Sequence, residues 1–330
     1  MVLFCCKDVG PARYLAEIIR EYPHNCHYLA GNFQGQKILE ATTAQPCRYP
    51  LEQQRISLVV TGTSLGNREE SPDKEILFWA KDHKIPSVSI IEHWGWYRKR
   101  FEHKNELVLP DFIIVNDNIA YGEAVAEGLP ASIIKPLGNP YLEKLSSKSF
   151  AMHSAVELRN RYDIPLDKRV ILFISEELKK SFAKNTSDYL GYDEFSVLDS
   201  LISQKRKTDY IIIKLHPEEP RDKYNELISE SIGVMSECPV ASLAVIADGV
   251  VGMASMLLLE LAFFRKDVIS CRPNATKSFI GENLSLTVPA KSDLELNFLL
   301  NNPTFAKRSM RGTFMGSKNR IVDFLLRLQK

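Results

Sequence analysis

The sequence lacks any long uncharged apolar run. Its longest apolar stretch, from Met253 to Phe264, contains Glu260 and is shorter than the roughly 18 residues that a membrane-spanning helix requires. The apolar start of the chain is interrupted by Lys7 and Asp8 and has no basic segment before it, so it predicts a first strand rather than a signal peptide. We therefore expect a cytoplasmic protein without a transmembrane segment.

The chain also has little net charge and no paired cysteines. Its 42 Lys and Arg against 41 Asp and Glu give a formal net charge of +1, so no strong field favours nucleic acid as a partner. None of the six cysteines forms a Cys-x-x-Cys pair, which argues against a zinc site and fits a reducing compartment. The P-loop and the Gly-x-Gly-x-x-Gly fingerprint of dinucleotide-binding proteins are absent as well.

Short apolar runs alternate with helical patterns along the whole chain, which is typical of parallel sheets covered by helices. In the first half, the predicted strands are Val2–Cys6, His27–Ala30, Ile56–Thr61, Ser87–Ile91, Phe112–Val115 and Ser132–Pro136, and the predicted helices are Pro11–Glu21, Pro72–His83 and Asn118–Glu127. In the second half, the predicted strands are Arg169–Ser175, Tyr210–Leu215, Gly249–Val251 and Asp267–Ser270. The predicted helices there are Ala155–Arg161, Phe195–Ser203, Asp222–Ser231, one from about Ser255, Asp293–Asn301 and Lys318–Gln329.

Turn residues at Gly138, Asn139 and Pro140, followed by a polar run, predict a linker near residues 141–155. The chain is thereby divided into residues 1–145 and residues 146–330, and the final helix is a candidate to pack back on the first part. We expect an α/β protein of two doubly wound, Rossmann-like domains that face each other across a cleft.

The second half contains a strand, a tight turn and a helix that together suit a phosphate. The turn and the first helical residues include Gly252, Ser255 and Met256. Free backbone N–H groups and the positive end of the helix dipole at such a terminus bind anions. We expect the phosphates of a nucleotide to bind there.

Glu260 is the single polar residue of the same helix. It lies about one and a half turns beyond Ser255, where it could accept hydrogen bonds from both hydroxyls of a ribose. A carboxylate is costly to bury without a partner, so the alternative is an ion pair with Arg265 or Lys266.

A second group of polar residues follows the predicted strand Tyr210–Leu215. Lys214, His216 and Pro217 lie at its carboxyl end, the edge of a parallel sheet at which ligands bind. His216 could donate to a phosphate oxygen, and Pro217 would fix the turn that presents it. The alternative is a histidine that caps a charged surface loop.

The first half places hydroxyl, acid and aromatic side chains after two strands. Thr63 and Ser64 follow the strand that ends at Thr61. After the strand Ser87–Ile91, a short segment holds an acid, a histidine, aromatic rings and basic groups, namely Glu92, His93, Trp94, Trp96, Tyr97, Arg98 and Arg100. Aromatic rings there could stack on a sugar or a base.

Glu92 and His93 are therefore candidates for a general base, and Thr63, Ser64, Trp94, Trp96 and Arg100 for contacts to an acceptor or sugar. The alternative is a plug between domains, with the basic side chains in salt bridges.

The first strand ends in a turn that contains Asp8 and Gly10. Gly10 would let an acceptor approach the backbone closely, and Asp8 is a third candidate for acid–base chemistry. An ordinary strand-to-helix turn is the alternative.

Together, the two-domain alternation, the Gly138–Pro140 crossing, the Lys214–Pro217 strand end and the Gly252–Glu260 turn and helix resemble GT-B-fold glycosyltransferases and their relatives, the UDP-GlcNAc 2-epimerases. The resemblance implies nucleotide contacts from His216, the Ser255 turn and Glu260. The chain departs from the epimerase pattern, whose turn usually has paired glycines, so the resemblance gives no subfamily.

From this resemblance we expect a metal-independent glycosyltransferase that uses a nucleotide sugar as co-substrate, needs no other cofactor and acts on a carbohydrate or other hydroxyl acceptor in bacterial surface-glycan synthesis. The alternatives are a hydrolysing nucleotide-sugar 2-epimerase and a GT-B-like binding protein without activity. A homodimer is compatible with each of them.

Overall fold

The computed structural model describes residues 1–23, 25–31, 33–49, 51, 54–65, 71–103, 106–146, 154–186, 189–217, 219–265, 267–275, 278–302, 312 and 314–329. The chain forms two compact units. Met1–Lys144 and Arg311–Lys330 make the first unit, and Leu145–Met310 makes the second. Within the described ranges, no helix is long and apolar enough to cross a membrane.

The first unit is built on parallel strands flanked by helices. Its strands are β1 (Val2–Cys5), β2 (Cys26–Leu29), β3 (Gln45–Cys47), β4 (Leu58–Thr61), β5 (Ser87–Ile91), β6 (Glu102–His103), β7 (Glu106–Leu107), β8 (Phe112–Val115) and β9 (Ile134–Pro136). Its helices are α1 (Val9–Ile19), α2 (Gln36–Glu40), α3 (Pro72–Asp82), α4 (Asn118–Ala126), α5 (Pro140–Ser146) and, near the end of the chain, α13 (Ser317–Leu328). Seven strands form one parallel sheet in the order β3-β2-β1-β4-β5-β8-β9, and β6 pairs with β7 in an antiparallel ribbon.

Alternate residues of the central strands fill the two sides of this sheet, because successive side chains of a strand point to opposite faces. Phe4 and Val60 pack on one face with α1 and with Ile321 and Leu325 of α13. On the other face, Val59 and neighbouring strand residues pack against α3. The strands are therefore buried on both sides, as is usual for a parallel sheet.

The second unit repeats this architecture with six strands. They are β10 (Arg169–Ile174), β11 (Asp209–Lys214), β12 (Ile232–Met235), β13 (Gly249–Gly252), β14 (Val268–Cys271) and β15 (Val288–Ala290), all parallel in the order β12-β11-β10-β13-β14-β15. The helices are α6 (Ala155–Arg161), α7 (Leu178–Ser181), α8 (Glu194–Gln204), α9 (Val240–Ile246), α10 (Met256–Phe264), α11 (Ile280–Asn283) and α12 (Asp293–Asn301). The two parallel sheets with flanking helices confirm the prediction of two Rossmann-like parts.

One prediction about local structure is wrong. The segment Asp222–Ser231 is not a helix but a series of turns with a short 3-10 helix at Asn225–Leu227. Within the expected linker near residues 141–155, Pro140–Ser146 forms α5 and residues 147–153 lie outside the described part of the chain. Pro140 is compatible with a helix start because its missing N–H would lack an intrahelical acceptor there.

Each sheet reverses the direction of its strand order at one place. In the first unit the chain moves outward from β1 to β2 and β3, and then from β4 in the opposite direction, so the reversal lies between β1 and β4. In the second unit it lies between β10 and β13. Ligands of doubly wound sheets bind outside the carboxyl ends of the strands at such a reversal.

Candidate functional site

In the second unit, α10 begins at the reversal point, directly after β13. Ser255 is the N-cap of α10, and its side-chain oxygen accepts the Leu258 backbone N–H at 3.2 Å. Gly252 is the last residue of β13, and a Cβ atom there would lie 3.1 Å from Cβ of Ile174. Met256 opens the helix. A small residue at 252 thus lets α10 and β10 pack closely beside the predicted phosphate position.

Glu260 lies on α10 and is 6% exposed, between apolar neighbours. The guanidinium of Arg265, the alternative partner, is engaged by Asp267, whose Oδ1 accepts from Nε at 2.9 Å, and by the backbone carbonyl of Ala244. Lys266 lies outside the described residues.

A carboxylate that the sequence analysis did not single out lies at the same helix end. Glu176 follows β10, and its Oε1 accepts the Ala254 backbone N–H at 2.8 Å. Burial raises the pKa of Glu176 to about 7, although the N–H groups of Ala254, Ser255 and Met253 lower it in part. The start of α10, where we expected a phosphate, is therefore already contacted by an acidic side chain of the protein itself.

The strand end at β11 holds the other three predicted nucleotide contacts. Lys214 is 6% exposed and its Nζ donates to the backbone oxygens of Leu215 at 2.6 Å and Ser236 at 2.9 Å. Burial lowers its pKa. His216 and Pro217 are exposed just beyond it, and the His216 backbone N–H donates to Oε2 of Glu219 at 2.7 Å. The side chain of Lys214 thus supports the loop, whereas His216 is the accessible group.

In the first unit, Glu92 follows β5 and lies against the β1–α1 turn. A Cβ atom at Gly10 would be only 2.9 Å from Oε1 of Glu92, so the carboxylate approaches the backbone at Gly10 closely. Among the described residues, the buried Oε2 has no hydrogen-bond partner. Burial, against the opposing charge of Arg100 and with a smaller contribution from Asp8, raises the pKa of Glu92 to about 7. Glu92, Gly10 and Asp8 are thus gathered at one end of the sheet.

The pKa of His93 is lowered, whereas that of Glu92 is raised. Its Nδ1 lies 2.9 Å from the backbone oxygen of Trp94, and burial, followed by the positive charge of Arg100, lowers the pKa of His93 to about 4. The imidazole is therefore neutral at pH 7. Because a carbonyl oxygen only accepts, Nδ1 must hold the proton in this contact, which leaves Nε2 as an acceptor.

The aromatic and basic residues after His93 differ strongly in exposure. Trp94 is 7% exposed, and its Nε1 donates to Oδ2 of Asp117 at 3.1 Å. Trp96 is 52% exposed, has a φ of 58° and lies 5.0 Å below the ammonium group of Lys99. The ring of Trp96 therefore has more accessible surface for a ligand than the ring of Trp94.

The remaining predicted contacts of the first unit are buried and have internal partners. Arg100 is 7% exposed and donates from Nη1 to the backbone oxygen of Thr63 at 3.0 Å. Thr63 donates to the Ile90 oxygen at 3.1 Å, and the hydroxyl oxygens of Ser64 and Ser71 are 2.5 Å apart. Although residues 62–66 match the Gly-x-Ser-x-Gly pattern of hydrolases, Ser64 is 1% exposed, which does not suit a nucleophile.

Asp73 is a further acid at this end of the first sheet that the sequence analysis missed. It lies in the first turn of α3 and is 3% exposed, and its Oδ1 accepts the Lys7 backbone N–H at 3.1 Å. Burial raises its pKa to about 7, and the negative charges of Asp8 and Glu92 contribute. Its place in the first turn of the predicted helix Pro72–His83 was the available signal.

No protein-family model matches the sequence, and no curated protein does either. Solved structures, however, match over almost the whole chain. The UDP-GlcNAc 2-epimerase of Neisseria meningitidis bound to UDP-GlcNAc matches with a TM-score of 0.71 at 16% identity, over 99% of both chains. S. aureus MnaA with UDP matches with a TM-score of 0.65 at 13% identity, over 99% of this chain and 96% of that one.

HepE from Anabaena in complex with UDP and glucose also matches, with a TM-score of 0.62 at 12% identity, over 99% of this chain and 96% of that one. At such identities the likeness establishes the fold. The resemblance inferred from the sequence motifs is thereby confirmed at that level, without a subfamily. The protein has the two-sheet, GT-B-like fold of the UDP-GlcNAc 2-epimerases.

Proposed function

We propose that the protein is an enzyme that binds a uridine diphosphate sugar and epimerises the sugar at C2. In this proposal the second unit binds the nucleotide and the first unit supplies the acid–base group. The observation that supports it best is the exposed His216 loop and the half-buried start of α10 in the second unit, in a fold whose solved neighbours include epimerases bound to UDP or UDP-GlcNAc.

The proposed nucleotide contacts divide by chemistry. The backbone N–H groups at the start of α10 and the side chain of His216 are donors, and they suit the diphosphate. Glu260 is an acceptor, and it suits the ribose hydroxyls. These contacts need no metal, because donors and the helix dipole provide the positive charge.

The proposed acid–base group is Glu92. In epimerisation at C2 a base takes the C2 proton from one face, the C–H electron pair stays with the sugar, and an acid returns a proton to the same carbon on the opposite face. Each group must therefore be able to change its protonation near neutral pH. The pKa of Glu92 is raised to about 7, and one carboxylate oxygen has no hydrogen-bond partner among the described residues. Asp8 stays a candidate for a second acid–base group.

The neighbours favour epimerisation over glycosyl transfer, which was the first expectation from the sequence. Glycosyl transfer stays the second candidate because Trp96 offers an exposed ring on the Glu92 loop, where an acceptor sugar could stack.

The test is incubation of the purified protein with UDP-GlcNAc, with and without oligosaccharide acceptors, followed by NMR of the sugar. Formation of the C2 epimer without an acceptor supports the proposal, whether the sugar stays attached to UDP or is released with water. UDP release that requires an acceptor would instead establish glycosyl transfer. Binding without any turnover would indicate a binding protein.

A further inference from the structure

We propose that Glu176 is an internal competitor for the diphosphate, so that a nucleotide diphosphate binds best when Glu176 is protonated. This inference rests on the proposed function, since it assumes that the diphosphate binds at the start of α10. In this inference Glu176 affects which ligand binds and has no part in the reaction at the sugar.

The geometry places Glu176 across the reversal point of the second sheet. β10 and β13 are direct neighbours, with Phe173 paired to Val251, so the residues after the two strands lie side by side. Glu176 comes from the β10 end and accepts the Ala254 N–H at 2.8 Å, one residue before the N-cap of α10. A phosphate oxygen at this helix start would need the same backbone donor.

An ionised Glu176 would also repel the incoming phosphates. Two anions at one helix start share a limited number of N–H donors, and like charges at short range strongly disfavour each other. When a diphosphate binds, the Glu176 carboxylate must either move away from the start of α10 or take up a proton from solvent and remain there as a neutral carboxyl group. Both routes make a diphosphate harder to bind as Glu176 becomes ionised.

Several charged and titratable groups surround this carboxylate. Arg272, after β14, lowers the pKa of Glu176, and its Nε donates to the Tyr192 hydroxyl at 3.1 Å. Lys223 donates to the Glu176 backbone oxygen at 3.3 Å. Acidic groups on the neighbouring elements are Glu219, Glu260 and Glu282. Burial outweighs the backbone N–H groups and the charge of Arg272, because the pKa of Glu176 still lies at about 7.

The sign of the pH effect follows from linkage. A bound diphosphate raises the pKa of Glu176 further, so binding takes up a proton and affinity rises as pH falls. Below about pH 7 Glu176 of the free protein is already mostly protonated, so the affinity for the diphosphate stops rising as the pH falls further. At pH 8 only about a tenth of the free protein is in the competent form, so the apparent affinity is reduced about tenfold.

The experiment compares UDP binding to the wild type and to Glu176→Gln between pH 6 and pH 9 by calorimetry. Glutamine keeps an oxygen that can accept the Ala254 N–H but cannot ionise. We expect the variant to bind UDP about tenfold more tightly than the wild type at pH 8 and about equally at pH 6. Protonation of UDP itself is common to both proteins and cancels in the ratio.

Two controls separate this effect from a structural one. Glu177→Gln changes the next residue, which pairs with Lys180 at 3.2 Å, and should leave the wild-type pH dependence unchanged. Uridine has no phosphate, so the ratio of its affinity for Glu176→Gln to its affinity for the wild type should be the same at every pH. Glu176→Ala provides a second test if the glutamine variant folds poorly.

The outcomes also separate this inference from the proposed function. UDP binding with the same pH dependence in the wild type and Glu176→Gln overturns the role of Glu176 while the nucleotide site stands. Absence of UDP binding to every variant at millimolar concentration overturns both.

Discussion

Glu92 and His93 are neighbours in sequence whose pKa values shift in opposite directions for the same reason. Burial disfavours the charged form of either side chain, so it raises the pKa of Glu92 to about 7 and lowers that of His93 to about 4. Only the carboxyl group therefore changes its charge close to neutral pH. Of the two residues, Glu92 is the better candidate for a base.

Replacing Glu92 with glutamine removes the base while it keeps the shape of the side chain. We expect kcat to fall by roughly 10²- to 10⁴-fold with UDP affinity nearly unchanged. In the wild type, activity should rise with pH through about 7 as Glu92 ionises. Steady-state kinetics and a binding titration measure the two quantities separately.

Glu75→Gln, an exposed position on α3, is the matched control and should retain wild-type kinetics. Wild-type turnover in Glu92→Gln would remove Glu92 from the mechanism and direct attention to Asp8.

Glu260 and His216 should affect different parts of one ligand. Glu260→Gln should weaken uridine and UDP alike, because both contain the ribose. His216→Ala should weaken UDP and leave uridine nearly unaffected, since the loss of a hydrogen bond to a charged group costs about 1.5–3 kcal/mol. Calorimetric titration with both ligands distinguishes them, and equal losses in both variants would show that the residues act through folding.

For single residues, the sequence predicts which side chains follow a strand, but it does not predict which residues from distant parts of the chain contact them. Glu92, His216 and Ser255 were found because they come directly after apolar runs. Glu176 does so as well, yet its contact with Ala254 depends on the pairing of β10 with β13, which joins distant parts of the chain. No local pattern contains that information.

Among the elements, α10 depends on its cap. The Ser255 side chain satisfies one of the backbone N–H groups that a helix start leaves without an intrahelical partner. We expect Ser255→Ala to reduce the stability of the second unit by about 1 kcal/mol and Ser255→Gly by only a few tenths. Hydrogen exchange of the α10 amides measures this, and equal losses in the two variants would contradict a capping role.

In the segment after β11, the local sequence pattern predicts the wrong secondary structure. Asp222–Ser231 has a composition compatible with a helix, but tertiary contacts hold it in turns. The ammonium of Lys223 pairs with Glu194 at 2.6 Å and Glu219 at 2.5 Å, and the hydroxyl of Tyr224 lies 2.6 Å from that of Ser175. Such contacts outweigh the weak intrinsic preference of a short segment for a helix.

Strongly apolar strands were predicted more reliably. Phe112–Val115 has the predicted bounds because it is a continuous apolar run, as is usual for a buried parallel strand. Ser87–Ile91, which is buried throughout, also has the predicted bounds. In contrast, β12 and β15 were missed because they are short and contain Gly233 and Pro289, residues that are unusual in strands.

For the molecule as a whole, α13 completes the first unit although it lies far along the chain. It begins after Gly316, and the Glu143 side chain accepts the N–H groups of Gly316 at 2.7 Å and Lys318 at 2.9 Å. Leu325 is fully buried in the core of the first sheet. From the sequence, packing of the last helix on the first part of the chain was only one possibility, because the pattern of an amphipathic helix does not specify which surface it covers.

Leu325→Ala should therefore destabilise the first unit by about 2–5 kcal/mol through lost burial and a cavity. We expect faster hydrogen exchange in β1 and β4, with β10 and β11 much less affected. Asp323→Ala, an exposed position on the same helix, should change stability by less than about 0.5 kcal/mol. Unchanged exchange in β1 would mean that α13 contributes little to this core.

The route of the chain through the two units also sets an order during synthesis. Leu145–Met310 leaves the ribosome between the two parts of the first unit. Domains generally fold as units once their sequence is available, at about 5–20 residues translated per second. The second unit can therefore finish first, while the N-terminal sheet waits with part of its apolar face uncovered. We expect that nascent surface to stay open to solvent until α13 has been synthesised.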